Sequence, residues 1–167
     1  METLEAIKTR RSIRKFAPDL IEDETIDNIV EMATWAPSGL NNQPWRFVIV
    51  RDKGVKDKLA QQTKYSRIIE NAPVCIAVFL DNAESYDRVK DIQAIGACLQ
   101  NMLLAIHAMG LGAVWLGEIL KNRKEVEKLL GVPGSCELMA VVALGKPAQE
   151  KGKGKRKPID QVVLSRK

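Results

Sequence analysis

This chain of 167 residues predicts an α+β or α/β domain in which helices pack in layers on one sheet. Two observations carry that prediction. The runs WRFVIV, PVCIAVFL, GAVWLG and CELMAVVALG have the apolar, β-branched character of strands. Segments before and between them place apolar residues at helical spacing. The length suits one ordinary domain with a real core, and the 46% apolar and 28% charged content belongs to a globular protein, not a disordered or fibrous one.

Leu4, Ile7 and Lys8 suggest a short opening helix ending near Arg10–Arg11. From Glu22 onward, Ile26, Ile29, Val30, Ala33 and Ala36 follow helical spacing, and acidic residues crowd the first turn, where the helix dipole favours them. Pro37 stops that helix, because the residue before a proline is pushed out of helical geometry. WRFVIV is the first strand. GVKDKLAQQT predicts a helix, and RIIENA another turn or two. PVCIAVFL shows almost no alternation, as expected of a strand buried on both faces.

The longest element is a helix from about Asp87 to Met109. Val89, Ile92, Ile95, Leu99, Met102, Leu103, Ile106 and Met109 mark one stripe, and Ala94, Ala97, Cys98, Ala105 and Ala108 widen it. A helix apolar on most sides is central or lies at a subunit interface. GAVWLG then predicts a short strand, NRKEVEKLLG an amphipathic helix ended by Gly131, and CELMAVVALG the last core strand. Beyond Gly145 the chain turns polar and glycine-broken until IDQVVL. Residues 1–147 are therefore expected to form one domain, and 148–167 an arm reaching over a surface.

Several function classes fall away. No apolar run is long enough to span a bilayer, and METLEAIKTRRSIRKF begins like a folded helix instead of a leader, so the expected location is the cytoplasm, with no membrane partner. Cys75, Cys98 and Cys136 are odd in number, widely spaced and set in apolar runs, which predicts buried free thiols, not a disulfide framework or zinc site. His107, the single histidine, lies in LLAIHAMG without a G-x-S-x-G nucleophile motif and reads as a core or interface residue. The net charge of +5 resides in KGKGKRK: without Lys151, Lys153, Lys155, Arg156 and Lys157 the formal charge is zero. A duplex-binding domain spreads its cations over a face, so no nucleic-acid partner is expected.

Three clusters have the composition of a binding site. In RRSIRKF, alternate residues of an extended segment point the same way, so Arg10, Ser12 and Arg14 can face one ligand. Two guanidiniums flanking a hydroxyl suit a phosphate; a solvated basic turn satisfies the same pattern. APSGLNNQPW offers amides and a hydroxyl that match a flat heterocycle with carbonyls and ring nitrogens, and Gly39 allows close backbone approach. A long polar turn bonding its own backbone is the plainer alternative. GLGAVWLGEI contains G-x-G, but after a helix and before a strand, the reverse of a dinucleotide fingerprint.

In this order, R-x-S-x-R-x-F, then the P-S-x-x-N-x-Q-P-W loop, then G-L-G-x-x-W-x-G after a long apolar helix, the chain resembles the nitroreductase family of FMN-dependent oxidoreductases. The resemblance runs from RRSIRKF through ALGKP into the basic tail. It implies an α+β fold with a mixed, mainly antiparallel sheet flanked by helices, in an intertwined homodimer whose C-terminal arms exchange and whose two FMN molecules lie at the interface. It assigns Arg10, Ser12 and Arg11 to the FMN phosphate and ribityl end, and Arg14 to the pyrimidine side of the ring. Pro37, Ser38, Gly39, Leu40 and Asn42 lie along the flavin of the partner subunit. Leu116 and Gly117 match the segment near flavin N5 and O4, where some members carry an acid in place of Leu116. Arg156 matches a tail R-x-P that contacts the phosphate, and the lysines around it leave the contacting residue open.

The resemblance also implies the chemistry. NADH or NADPH visits as a diffusible reductant and gives hydride to flavin N5. An electron-poor acceptor, such as a nitroaromatic or a quinone, then takes its place in ping-pong order. No protein acid, base or metal is required. The same fold leaves open reductive dehalogenation, oxidation of a cyclic product, and flavin binding without turnover. The chain is short for the family, with little between Asp81 and Asp87 to build a lid over the flavin.

Overall fold

The computed structural model describes residues 1–150 and 152–167; Lys151, one of the tail cations, lies outside the described residues. The helices are α1 (Thr3–Thr9), α2 (Asp23–Thr34), α3 (Lys53–Ala60), α4 (Ser66–Asn71), α5 (Arg88–Ala108) and α6 (Arg123–Leu130), and the strands are β1 (Trp45–Val50), β2 (Val74–Asp81), β3 (Gly112–Leu116) and β4 (Cys136–Gly145). Short 3₁₀ turns occupy Gly39–Asn41, Glu118–Asn122 and Ile159–Gln161.

The sheet order is β1-β2-β4-β3, and every neighbouring pair is antiparallel. Its mixed character is confined to a parallel bridge between Ser12 and Ala113 on the outer edge of β3. β2 is buried along its whole length, as its unbroken apolar run predicts, because both faces are covered. Val74, Ile76, Val78 and Leu80 meet α2 and α5 on one face, while Cys75, Ala77 and Phe79 meet α3, α4 and α6 on the other. The register between β2 and β4 shifts at Val78/Phe79. There Met139 and Ala140 both turn to the α5 face, while Leu138 and Val141 serve the opposite core. A bulge of this kind lets one strand keep apolar residues on both sides.

Local chemistry accounts for the element ends. Asp52 and Asp87 cap α3 and α5, accepting from Val55 N and Lys90 N. α2 stops at Thr34, two residues short of Ala36, and Gly131 ends α6 with φ 63°. His107 is buried, with Nε2 2.9 Å from Thr9 Oγ1, which ties α1 to α5. All three cysteines are free and buried, and burial pushes the Cys75 and Cys98 thiols up to about 12. Among the described residues no helix is long and apolar enough to cross a membrane.

Candidate functional site

The RRSIRKF segment leaves α1 extended and is held on two sides. Ile13 N donates to Ala113 O of β3 at 2.9 Å, and Ala17 N and Ala148 N bond Lys146 O and Lys15 O, each at 2.9 Å. The buried side chains of Ile13 and Phe16 anchor it. Gly112 is needed here, since a Cβ on it would stand 2.7 Å from Ile13 Cβ.

This clamping gathers cations. Arg10 is held below the ordinary arginine range by its partial burial, by Arg156 and by Arg11, in that order. The arm therefore reaches the segment within one chain. Gln149 Oε1 accepts from Arg14 N (2.9 Å) and Lys15 N (3.0 Å), and Gly152 O accepts from Arg11 Nε at 3.0 Å. Arg11 also donates to Lys8 O and Arg10 O, so its guanidinium is largely spent on carbonyls. Among the described residues no carboxylate forms an ion pair with Arg10, Arg14 or Arg156. Like charges brought together without a counter-charge make a site for an anion.

Beside this cluster, a cleft of about 280 Å³ is lined by Arg14, Tyr65, Ile68, Leu116, Gly117 and Glu118, among others. It joins two of the three sequence clusters. Glu118 Oε2 accepts from Thr63 Oγ1 (2.6 Å) and Lys64 N (3.1 Å), and Lys121 pairs with Oε1 at 2.6 Å. The Lys121 bond, then the Thr63 bond, bring the Glu118 carboxyl down to about 2. Glu118 directly follows Gly117 and is committed to holding the Thr63–Tyr65 wall.

The third cluster lies elsewhere. Pro37, Ser38 and Gly39 line a separate cleft of about 310 Å³ with Tyr86, Lys90 and Gln93, and its walls share no residue with the Arg14 cleft. Asn42 Nδ2 donates to Glu84 O (3.0 Å) and Asp91 Oδ1 (2.8 Å), and Ser38 Oγ accepts from Gln43 N at 3.1 Å. These polar groups serve the loop's own architecture. Room at Gly39 is used by Tyr86, whose Oη would lie 1.8 Å from an added Cβ. Leu40, Asn41 and Gln43 have positive φ, and Leu40 is 85% exposed. Such strain in a well-bonded loop is typical of binding segments.

A family model described as the nitroreductase family matches residues 7–64 and 54–146. The chain belongs to the nitroreductase family. A relative from Methanothermobacter thermautotrophicus, named as an NADH dehydrogenase/NAD(P)H nitroreductase, is 38% identical over 156 residues, covering 91% of this chain and 81% of the relative. An NADPH-flavin oxidoreductase from Vibrio harveyi is 32% identical over 173 residues, covering 96% of this chain and 72% of the relative. A solved structure from Desulfovibrio desulfuricans, described as a nitroreductase in complex with FMN, superposes with a TM-score of 0.94 at 45% identity, covering 100% of this chain and 99% of that one.

Within this nitroreductase, residues that the motifs do not mark complete the geometry. Asp91 is fully buried and ties the loop to α5: besides Asn42 it accepts from Ser85 Oγ (2.6 Å), Tyr86 N (3.1 Å) and Asp87 N (3.2 Å). Burial pushes its carboxyl up, but the bonds from Ser85, Asn42, Asp87 N and Tyr86 N outweigh it and leave it below the ordinary range. Glu118 sits next to the GLGAVWLG motif and its acid type was a usable signal. Tyr65 and Ile68 had none, because only tertiary packing carries α4 to the end of β3.

Proposed function

We propose that this nitroreductase is an FMN-dependent NAD(P)H oxidoreductase that works as a homodimer and reduces electron-poor acceptors, nitroaromatics and quinones among them. The observation that carries this reading is the cluster of Arg10, Arg11 and Arg156, which has no carboxylate ion pair among the described residues, on the same extended segment as Arg14, which lines the cleft of Leu116 and Gly117. It fits a ligand with a phosphate at one end and a flat polar ring at the other. Arg10 and Arg156 would hold the phosphate dianion with Ser12, and Arg11 would keep the arm closed over it. Arg14 lines the ring cleft as an exposed cation; there it favours negative charge on the pyrimidine edge and so makes reduction easier. Leu116 and Gly117 supply a wall in which Gly117 carries no side chain to hold the ring away.

When bound, FMN supplies the two-electron chemistry at N5 that links NAD(P)H to the acceptor. The protein's part is binding, orientation and electrostatics. Pro37, Ser38, Gly39, Leu40 and Asn42 would complete the partner's site, which accounts for a strained loop whose Leu40 faces outward. The dimer reading is also supported by apolar surface: Trp35 is 75% exposed, beside a cavity of about 480 Å³ lined by Met1, Ala6, Met32, Leu104 and Met109. Patches of this kind mark association surfaces. Ile159, Val162 and Leu164 are likewise exposed on the arm; because Ala148, Gln149, Gly152 and Arg156 meet the Arg10–Lys15 segment of their own chain, we assign the exposed end of the 148–167 arm to the exchange with the partner. Truncation after Lys146 should lower both flavin content and dimer stability; unchanged sedimentation would refute the arm's role.

The decisive experiment is an absorption spectrum of protein loaded with FMN and desalted, for the parent and for Arg10→Ala/Arg14→Ala. The parent is expected to keep flavin bands that bleach with anaerobic NAD(P)H, and the double variant to lose flavin while still folding. A variant as yellow as the parent would remove the phosphate assignment. Parent bands that do not bleach would leave a flavin-binding protein without this activity.

A further inference from the structure

The cleft beside the Pro37–Gly39 loop contains side chains that flavin binding alone does not use. Tyr86 and Lys90 stand over the loop, with Lys90 Nζ 5.1 Å from the centroid of the Tyr86 ring. Gln93 adds an amide one turn further along α5, and among the described residues no carboxylate lines the cleft. Asp87 Oδ2 lies 3.6 Å from Lys90 Nζ in an exposed ion pair, which solvent screens and a ligand carboxylate can displace. Asp91, the next acid, is buried and bonded to four donors.

We propose that Lys90 and Tyr86 form the acceptor-selecting wall of the partner's site and favour flat aromatic acceptors that carry a carboxylate. The inference rests on the proposed function, because it is the Pro37–Asn42 loop that places this cleft next to the partner's flavin. A ring lying along that loop meets the Tyr86 face at one edge, and a carboxylate on the ring reaches the Lys90 ammonium, whose attraction is strengthened as water is excluded. A neutral ring of the same size gains the stacking but not the charge. For a nitroaromatic carboxylate the electrons balance simply. NAD(P)H delivers two electrons and a proton, solvent adds one more proton, and the nitro group becomes nitroso with loss of one water.

Lys90 is an exposed side chain whose backbone N, not its ammonium, receives the Asp87 cap, so Lys90→Met should fold and dimerise like the parent. Calorimetric titration of the flavin-loaded protein with benzoate, which cannot be reduced, is expected to weaken by about tenfold in Lys90→Met, with benzyl alcohol unchanged and Lys90→Arg close to the parent. Steady-state kcat/KM for 4-nitrobenzoate should fall by the same factor, and those for 4-nitrobenzyl alcohol and for NADH should not. Equal losses for charged and neutral rings, or no change for benzoate, would overturn the proposal. A loss confined to NADH would overturn it too, by assigning Lys90 to the reductant's phosphates. A parent that takes up no FMN removes this inference together with the function it rests on, whereas retained FMN with an indifferent Lys90 removes this inference alone.

Discussion

Replacing Asp91 by Asn tests whether one buried carboxylate organises the loop end of the site. Oδ2 accepts from Ser85 Oγ at 2.6 Å, Tyr86 N at 3.1 Å and Asp87 N at 3.2 Å, and Oδ1 from Asn42 Nδ2 at 2.8 Å. An Asn that keeps its oxygen toward the three donors places an NH2 against the Asn42 NH2. A turned Asn42 amide would relieve that clash, because its Oδ1 is buried without a partner, but would then give up its bond to Glu84 O. Losing charge assistance on these bonds and one bond outright costs about 2 kcal/mol, while Asp91→Ala, which strands backbone donors, costs about 3–5 kcal/mol.

The pH dependence has a definite sign. The folded carboxyl lies below its ordinary value, so its contribution is complete above the unfolded pKa of about 3.9 and is lost as pH falls through the folded value. Urea unfolding of parent and Asp91→Asn at one fixed protein concentration, at pH 7, 5 and 3, is the assay. The gap should be full at pH 7 and 5 and shrink at pH 3. A gap below about 0.5 kcal/mol at pH 7, within the range of ordinary surface substitutions, or one that does not shrink in acid, refutes the role given to Asp91.

Gly112→Ala should cost about 2 kcal/mol, since the new Cβ meets the buried Ile13 side chain at 2.7–2.8 Å. It should also lower flavin content by displacing the Arg10–Arg14 segment; normal unfolding midpoints would show that the segment yields freely. Gly131→Ala places an L side chain at φ 63° with open space around it. Strain alone then predicts a loss of about 1 kcal/mol in chemical denaturation, with flavin content unchanged.

Much of the fold was legible along the chain. WRFVIV and CELMAVVALG match β1 and β4 end to end, and the helix expected from Asp87 to Met109 is α5 with those two residues as its caps. Strong periodicity and clear caps made this possible. Helix ends were less legible: α2 stops before Trp35, not at the proline, and α3 stops at Ala60 although Gln61, Gln62 and Thr63 prolong the pattern. The 3₁₀ turn Glu118–Asn122 has no periodic signal at all. Gly39 and Asn42 were legible as special but not in their duties, because Tyr86 and Asp91 occupy them from far along the chain.

Residue types at fixed spacing determined the elements, the buried thiols, the neutral body with its basic tail, and the three ordered motifs that mark the family. Those properties are local: they depend on alternation, capping and charge within a few residues. Only the tertiary structure decided that Arg156 comes to Arg10, that Tyr65 and Glu118 wall the cleft of Arg14 and Gly117, and that the Pro37–Asn42 loop belongs to a different cleft of the same chain. Each of these pairings joins residues tens of positions apart. They exist because two helical layers cover a sheet in the order β1-β2-β4-β3, and that order arises from which apolar faces bury one another, a choice that no short stretch of sequence can make alone.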